Sequence, residues 1–177
     1  MSEIRRALES QFDRILAEHG PAISRLAFSY EAVRSVREEL MQEIAMAIWK
    51  ALPDFRSECS ERTFVYRIAH NRGLSHSSRR RPAHDPLDEL TDADHPADPR
   101  PDPEKRALHT SDRARLASAI QVLPVAQRQI IVLMLEGLSH AEMAEVLGVT
   151  ENNVAVRLVR ARNALKDALG EKLGGKQ

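Results

Sequence analysis

Arginine is concentrated in one stretch of the chain, in a way that suits binding to nucleic acid. Six arginines and no acid lie between Arg62 and Arg81, and histidine, asparagine and serine fill much of the remaining polar surface. Guanidinium groups neutralise phosphates, while amides and hydroxyls hydrogen-bond to bases or phosphates. Phe64 and Tyr66 add aromatic faces on which an unpaired base could stack. The alternative is a solvated helix whose basic face binds nothing.

A second candidate for nucleic-acid binding is the stretch "LSHAEMAEVLGVTENNVAVRLVRARNAL", residues 138–165. Ser139 and Glu142 have the spacing of a capping box, so we expect a helix to begin at Ser139. Gly148 can end that helix in the left-handed conformation, and Thr150 offers a hydroxyl cap to the next one. Two helices joined by a tight glycine-containing turn are typical of a helix-turn-helix, whose second helix enters the DNA major groove.

A helical wheel divides the second of these helices into two faces. One face is apolar and consists of Val154, Leu158, Ala161 and Leu165. The face we expect in the groove, where amides can bond base edges and valines can touch thymine methyls, holds Asn152, Val156, Val159, Arg160 and Asn163. The cations predicted to flank the groove or lie along the phosphates are Arg157, Arg160, Arg162 and Lys166. The alternative is a plain helical hairpin with a solvated basic face.

The elements that would carry these residues are predicted to be helices throughout. Aromatic residues make up only 4% of the 177 residues, and apolar residues recur at helical rather than alternating spacing. One helix includes Val36, Leu40, Ile44 and Ile48 and is broken at Pro53, and another runs from about Glu61 to Pro82. Four short helices fit the stretch from Lys105 to Leu169, which is interrupted at Leu123-Pro124, Gly137 and Gly148. The expected fold class is all-α.

The division into domains follows from composition. Residues 82–104 are rich in proline and aspartate and poor in apolar residues, which predicts a flexible linker. It is strongly negative, with the acids Asp85, Asp88, Glu89, Asp92, Asp94, Asp98, Asp102 and Glu104. We therefore expect two small helical domains, residues 1–81 and 105–170, and a glycine-rich tail, residues 171–177, that frays.

Whole-chain charge and cysteine content limit the cellular setting more than the function. Lys plus Arg and Asp plus Glu each total 26, so only the placement of the charges indicates partners. The single cysteine, Cys59, cannot form an internal disulfide, and no stretch has the apolar length of a signal peptide or membrane span. A cytoplasmic protein is the expectation. Cys59 is either an oxidation-sensitive thiol or a small tolerated residue.

The early turns of "VREELMQEIAMAIWKAL" carry an acidic surface that includes Glu38, Glu39, Gln42 and Glu43. On a DNA-binding protein such a surface suits a basic protein partner. A purely protein-binding adaptor is a further alternative, but the acid-free stretch from Arg62 to Arg81 argues against it.

No catalytic arrangement is evident in the sequence. No catalytic triad, phosphate loop or pair of carboxylates has supporting context, and the six-residue spacing of His70 and His76 does not place them on one helical face. We expect no enzyme activity, no metal and no cofactor.

Three segments together resemble the extracytoplasmic-function branch of the bacterial sigma-70 superfamily: "REELMQEIAMAIW", "FRSECSERTFVYRIAHNRGLSHSSRRR" and "LPVAQRQIIVLMLEGLSHAEMAEVLGVTENNVAVRLVRARNAL". The resemblance covers nearly the whole chain outside the linker and tail. It implies a region 2-like domain, a region 4-like domain and a transcription initiation factor without an active site. Such a factor binds core RNA polymerase, recognises a promoter and opens it near the start site.

The resemblance also implies roles for individual residues. The polymerase clamp helices would be bound by Glu39, Leu40, Gln42 and Glu43, with glutamate at the first position where aspartate is usual. A flipped base of the minus-10 element would be held by the loop Phe55, Arg56, Ser57, Glu58, Cys59 and Ser60, followed by Tyr66, His70, Asn71, Arg79 and Arg80. Flipping costs a few kcal/mol, so a polar, shaped pocket is required.

The C-terminal domain would read the minus-35 element through Thr150, Asn152, Asn153, Ala155, Val156, Arg157, Val159 and Arg160. Ala155 and Val156 stand where small polar or basic residues are common in the family, so no promoter consensus follows. The acidic linker would pass through the RNA path of the polymerase, or else be a solvated tether. The other implied partners are promoter DNA, the polymerase flap and an anti-sigma factor. The alternative function is a stand-alone helix-turn-helix repressor or activator.

Overall fold

The computed structural model describes the backbone of residues 2–80 and 103–174 and the side chains of residues 3–79 and 112–170. The helices are α1 (Ser2–Phe28), α2 (Arg34–Ala51), α3 (Glu61–Arg80), α4 (Pro103–Gln121), α5 (Val125–Leu135), α6 (His140–Leu147) and α7 (Glu151–Gly174). A single 3-10 turn, Leu52–Asp54, follows α2 at the predicted proline break. These two ranges contain no strand, and the all-α prediction is confirmed.

The N-terminal helices α1 to α3 enclose a core of aliphatic side chains. Ile23, Leu40, Ile48 and Val65 are fully buried, one or more from each helix. The edge of Phe12 on α1 packs on Trp49 of α2, with 5.3 Å between ring centroids. These contacts bury the apolar stripe that the helical periodicity predicts, and they leave the polar stripe of α2 facing outward.

An ionic cluster joins the middle of α1 to the start of α3. The guanidinium of Arg14 donates to both carboxylate oxygens of Glu61, at 2.9 and 2.5 Å. His19 Nε2 lies 3.5 Å from the same carboxylate. Arg14 holds the pKa of Glu61 below its usual value, because the hydrogen-bonded guanidinium stabilises the ionised form. The cluster therefore helps to set the direction in which α3 leaves the preceding loop.

The C-terminal helices confirm the predicted turns. Ser139 Oγ accepts from the backbone N–H of Glu142, whose carboxylate accepts from the N–H of Ser139, so the capping box is formed. Gly148 has φ +64, in the left-handed region that favours glycine. Thr150 Oγ1 accepts from the N–H of Asn153 at 3.2 Å and caps α7.

Two boundaries differ from the sequence predictions. Helix α4 begins at Pro103, so the last two residues of the predicted linker belong to a helix; proline suits the first turn because no N–H is required there. The rest of that linker lies outside the described residues. Helix α7 continues to Gly174, into the tail predicted to fray, because Glu171, Lys172 and Leu173 are good helix formers.

The N-terminal and C-terminal helices pack against each other, α1 on α5 and α3 on α6. Arg25 of α1 forms an ion pair with Glu136, the residue that follows α5. Arg67 of α3 forms another with Glu145 of α6. In the described part of the chain, no helix has both the length and the apolar character needed to cross a bilayer.

Candidate polymerase and nucleic-acid interfaces

The acidic face of α2 is accessible, with one exception. Glu39 and Gln42 are exposed and Glu43 is half-buried, so all three can meet a partner. Leu40 is fully buried among the core side chains. The prediction that Leu40 contacts the polymerase is wrong, because its register on α2 places it one hundred degrees or so from Glu39, on the core side. Its role is to hold the helix in place.

The loop predicted to receive a base surrounds a cavity of about 310 Å³. Its lining residues are Asp54, Phe55, Arg56, Glu58, Cys59, Phe64 and Arg67. Ser57 has φ +57, a left-handed conformation that is unusual for a residue with a Cβ and that turns the loop sharply. Exposed Arg56 and Glu58 give the rim its polar character. The mixed apolar and polar lining suits an unstacked base.

Two residues of this segment have structural roles that the sequence prediction did not assign. Ser60 Oγ accepts from the N–H of Thr63 at 3.0 Å and caps the start of α3. Phe64 is buried and packs on Phe55, with 4.5 Å between the ring centroids. Phe64 is therefore not free to stack on a base, contrary to the expectation from sequence.

On α3, His70 was predicted to face DNA but lies in the interior. The hydroxyl of Tyr30 and Nδ1 of His70 are 2.5 Å apart, and both side chains are buried. Burial lowers the pKa of His70 to about 4, with a smaller contribution from the charge of Arg157. His70 is therefore neutral near pH 7, and its prediction as a DNA contact is wrong. Asn71, the next residue, is exposed as expected.

Tyr66 is also covered in this structure. Its side chain is 1% exposed, and its hydroxyl lies 3.4 Å from a carboxylate oxygen of Glu136. Burial raises the pKa of Tyr66 to about 12, and the Glu136 carboxylate acts in the same direction. Tyr66 could reach DNA only if Glu136 moved away.

The arginines of α3 are held by carboxylates and carbonyls. Arg62 donates to the backbone carbonyl of Glu136. Arg67 Nη1 lies 3.3 Å from Glu145, and Arg79 Nη2 lies 2.6 Å from Glu43. The last pair joins a residue predicted to bind DNA to one predicted to bind the polymerase. The side chain of Arg80 is outside the described part of the chain.

Cys59 lies in the loop, half-buried. Burial raises the pKa of its thiol, and a hydrogen bond to the Glu145 carboxylate raises it further. A thiol in this setting is less often ionised than an exposed one, which favours the small tolerated residue over the oxidation-sensitive one.

Helix α7 presents the predicted recognition face. Its apolar side is buried through Val154, Leu158 and Ala161. The exposed predicted contacts are Thr150, Asn152, Asn153, Val156, Val159 and Arg160. Ala155 and Arg157 are half-buried, and Arg157 is near enough to His70 on α3 to influence its protonation. Exposed valines on an otherwise polar face are suited to contact with thymine methyl groups.

The sequence prediction missed the residues that join the two groups of helices. Glu136 contacts Arg25, Arg62 and Tyr66, and Gln121 Nε2 donates to the backbone carbonyl of Phe28 at 2.6 Å. No local pattern marks an acid or an amide whose partner lies far away along the chain. The one sequence signal was the lack of acids in α3, which leaves its arginines to find carboxylates on other helices.

Comparison with known proteins decides the family. The sequence profile described as sigma-70 region 2 matches residues 15–82, and the one described as sigma-70, region 4 matches residues 113–165. The RNA polymerase sigma factor CnrH of Cupriavidus metallidurans is 33% identical over 91% of this chain and 89% of its own. The chain belongs to the sigma-70 family. The sigma factor reading from the sequence is thereby confirmed.

Two further comparisons agree with this assignment. The extracytoplasmic-function (ECF) RNA polymerase sigma factor SigM of Mycobacterium tuberculosis is 29% identical over 90% of this chain and 77% of its own. A solved structure of CnrH in complex with the cytosolic domain of CnrY superimposes with a TM-score of 0.66 at 26% identity, covering 92% of this chain and 90% of that one. The protein is an ECF sigma factor, a transcription initiation factor that directs core RNA polymerase to promoters. A stand-alone repressor or activator is not favoured.

Proposed function

We propose that this sigma factor divides its work between two domains, residues 1–81 and 105–170. The first would bind core polymerase and hold the opened minus-10 element, and the second would read the minus-35 element. The observation that carries the proposal is the helix-turn-helix geometry, in which a capped α6 and a left-handed Gly148 direct the exposed face of α7 outward. Residues 82–104 would join the domains as an acidic linker.

The polymerase-binding surface is the exposed acidic face of α2, formed by Glu39, Gln42 and Glu43. Leu40 supports this face from the core and takes no part in the contact. Carboxylates on a rigid helix can meet a basic protein surface with little loss of side-chain freedom compared with carboxylates on a loop. The pairing of Glu43 with Arg79 must then be exchanged for the new contact.

The minus-10 element is held by the cavity of the loop that precedes α3. Arg56 at its rim and Arg67 on its wall supply positive charge for phosphates, and the apolar lining accepts a base that has left the stack. Asn71, exposed on the same helix, extends the surface along the strand. His70 is excluded because it is bonded to Tyr30.

The minus-35 element is read by α7 in the major groove. Asn152 and Arg160 can hydrogen-bond to base edges, while Val156 and Val159 can touch thymine methyls. Thr150 and Asn153, at the start of the helix, lie where backbone phosphates approach a helix N-terminus. Base-edge contacts give sequence preference, and the flanking cations give affinity.

The remaining parts of the proposal concern setting and regulation. The factor would act in the cytoplasm with the polymerase and would catalyse no reaction and need no cofactor. Because CnrH has been solved with the cytosolic domain of CnrY, we expect this chain also to be bound by a regulatory protein, an anti-sigma factor. The acidic linker would occupy the basic RNA path of the polymerase.

Co-elution of the purified chain with bacterial core RNA polymerase tests the proposal. The wild type should co-elute, and Gln42→Ala/Glu43→Ala should weaken the complex while leaving the helical circular dichroism spectrum unchanged. A matched control is Glu3→Ala/Glu9→Ala on α1, where both side chains are exposed and far along the chain from α2. The control should co-elute like the wild type.

Two results would contradict the proposal. Failure of the folded wild type to co-elute would return the stand-alone regulator to consideration, and that regulator should protect a symmetric DNA site without polymerase. Equal loss of binding in the control variant would show that general charge, not the α2 face, attracts the polymerase.

A further inference from the structure

Glu136 and Glu145 of the C-terminal helices occupy cationic groups of the N-terminal helices that DNA would need. The Glu136 carboxylate accepts two hydrogen bonds from Arg25, at 2.5 and 2.8 Å, and lies within reach of the Tyr66 hydroxyl. The backbone carbonyl of the same residue accepts from Arg62. One short segment after α5 thus engages groups on both α1 and α3.

Glu145 of α6 reaches the candidate base pocket itself. Its carboxylate lies 3.3 Å from Arg67 Nη1, and it accepts a hydrogen bond from the Cys59 thiol. Arg67 and Cys59 both line the cavity of the base-binding loop. A carboxylate at this position meets the same positive charge that a DNA phosphate would meet.

A third contact is independent of these ion pairs. Gln121, the last residue of α4, donates to the backbone carbonyl of Phe28, the last residue of α1. Carbonyls at the end of a helix lack partners within it, so this bond satisfies an otherwise orphan acceptor. Arg128 Nη1 donates to Gln121 Oε1 at 2.6 Å and holds the amide in orientation. The two groups of helices are therefore joined at more than one place.

We propose that this structure is a self-masked state of the sigma factor, in which Glu136 and Glu145 cover the minus-10 DNA surface on α3 and its preceding loop. The proposal rests on the assignment of minus-10 binding to that surface. The free chain then binds single-stranded DNA poorly, and separation of the two groups of helices on the polymerase exposes Arg62, Arg67 and Tyr66 together.

The strength of the contacts suits a reversible mask. The Arg67–Glu145 pair is more than two-fifths exposed on both sides, so solvent screens it. Arg25 is exposed, while Glu136 is largely covered, so that pair is screened less. Contacts of this kind hold two domains together only in sum, and a large polymerase surface can displace them.

The test compares Glu136→Gln/Glu145→Gln with the wild-type full chain. The variant keeps the side-chain shapes but removes both carboxylate charges. A control with the same change of net charge is Glu3→Gln/Glu9→Gln on the exposed side of α1. The probe is a fluorescein-labelled, random-sequence single-stranded DNA of about 12 nucleotides, a length within the site size of small single-strand binding domains. Fluorescence anisotropy reports affinity, and small-angle X-ray scattering reports size.

The wild type and the control should scatter as compact particles, with a radius of gyration near the ~16 Å expected for a compact chain of this length. The masking variant should have a larger radius and should bind the probe about tenfold more tightly than the control. An unchanged radius, or an affinity equal to that of the control, would overturn the proposal.

Adding Arg56→Ala/Arg67→Ala to the masking variant identifies the surface that is uncovered. The gain in affinity should disappear while the larger radius remains. A gain that survives would place the DNA elsewhere and overturn the masking of α3. Co-elution with polymerase is a separate readout, because the exposed α2 face takes no part in these contacts, so failure of the mask and failure of the proposed function are distinguishable.

Discussion

The hydroxyl oxygen of Tyr30 and Nδ1 of His70 lie 2.5 Å apart, in the interior where the end of α1 meets the middle of α3. Desolvation lowers the pKa of His70 to about 4. A ring that is difficult to protonate in the folded state is protonated more readily in the unfolded chain, where the pKa of histidine is about 6.5. This difference couples folding to pH.

The first prediction follows from that coupling. Between about pH 6.5 and about pH 4 the unfolded state binds more protons at this position, so the free energy of unfolding decreases as the pH falls. The expected contribution of His70 is a loss of about 2 kcal/mol between about pH 7 and about pH 5. Urea unfolding at the two pH values measures it. His70→Gln should show a smaller loss, and an equal loss would assign the effect to other groups.

The second prediction concerns Gly73, which lies under the ring of Tyr30. A Cβ at Gly73 would come 2.4 to 2.6 Å from three atoms of that ring. Gly73→Ala should therefore destabilise the chain by about 1–3 kcal/mol, despite the higher helix propensity of alanine. Gly20→Ala on α1 is the matched control, because nothing lies within 4 Å of its Cβ, and it should be neutral or stabilising. Chemical unfolding of both variants decides the question.

The third prediction separates Leu40 from its exposed neighbours. Leu40→Ala should cost about 2–5 kcal/mol, because it opens a cavity in the core of the N-terminal helices. Gln42→Ala should change the free energy of unfolding by no more than about 0.5 kcal/mol, because the side chain is exposed. The same unfolding measurement serves both variants. Comparable values for the two would contradict the assignment of Leu40 to the core.

The fourth prediction concerns the capping box at the start of α6. Ser139→Ala should cost about 1 kcal/mol, since the N–H of Glu142 loses its acceptor. The hydrogen bond from the Ser139 backbone N–H holds the pKa of Glu142 below its usual value. Its stabilisation is therefore present above the unfolded pKa of about 4.3 and is lost as the pH falls below it. Urea unfolding at about pH 7 checks the first point, with exposed Ser35→Ala as the control. An equal cost in the control would contradict the capping role.

Local sequence determined the helices and the turns between them. Capping at Ser139, the left-handed turn at Gly148 and the division of α7 into two faces each depend on residues only a few positions apart. For the same reason the segment predicted as an acidic helix face forms α2 with Glu39 and Gln42 exposed. Hydrogen bonds and side-chain periodicity within a helix act over one or two turns, so the sequence alone suffices to read them.

The tertiary structure decided which of the predicted contacts are free. Leu40, Phe64 and His70 match the family motifs, yet they are buried because α1, α2 and α3 meet around them. The positions of Glu136 and Glu145 depend on how α5 and α6 pack on α1 and α3, across 78 residues of chain in the pairing of Arg67 with Glu145. Such pairings depend on the path of the whole backbone, and no local spacing records them. The sequence therefore determined the parts and the family, and the packing of distant helices decided which DNA-binding groups are covered.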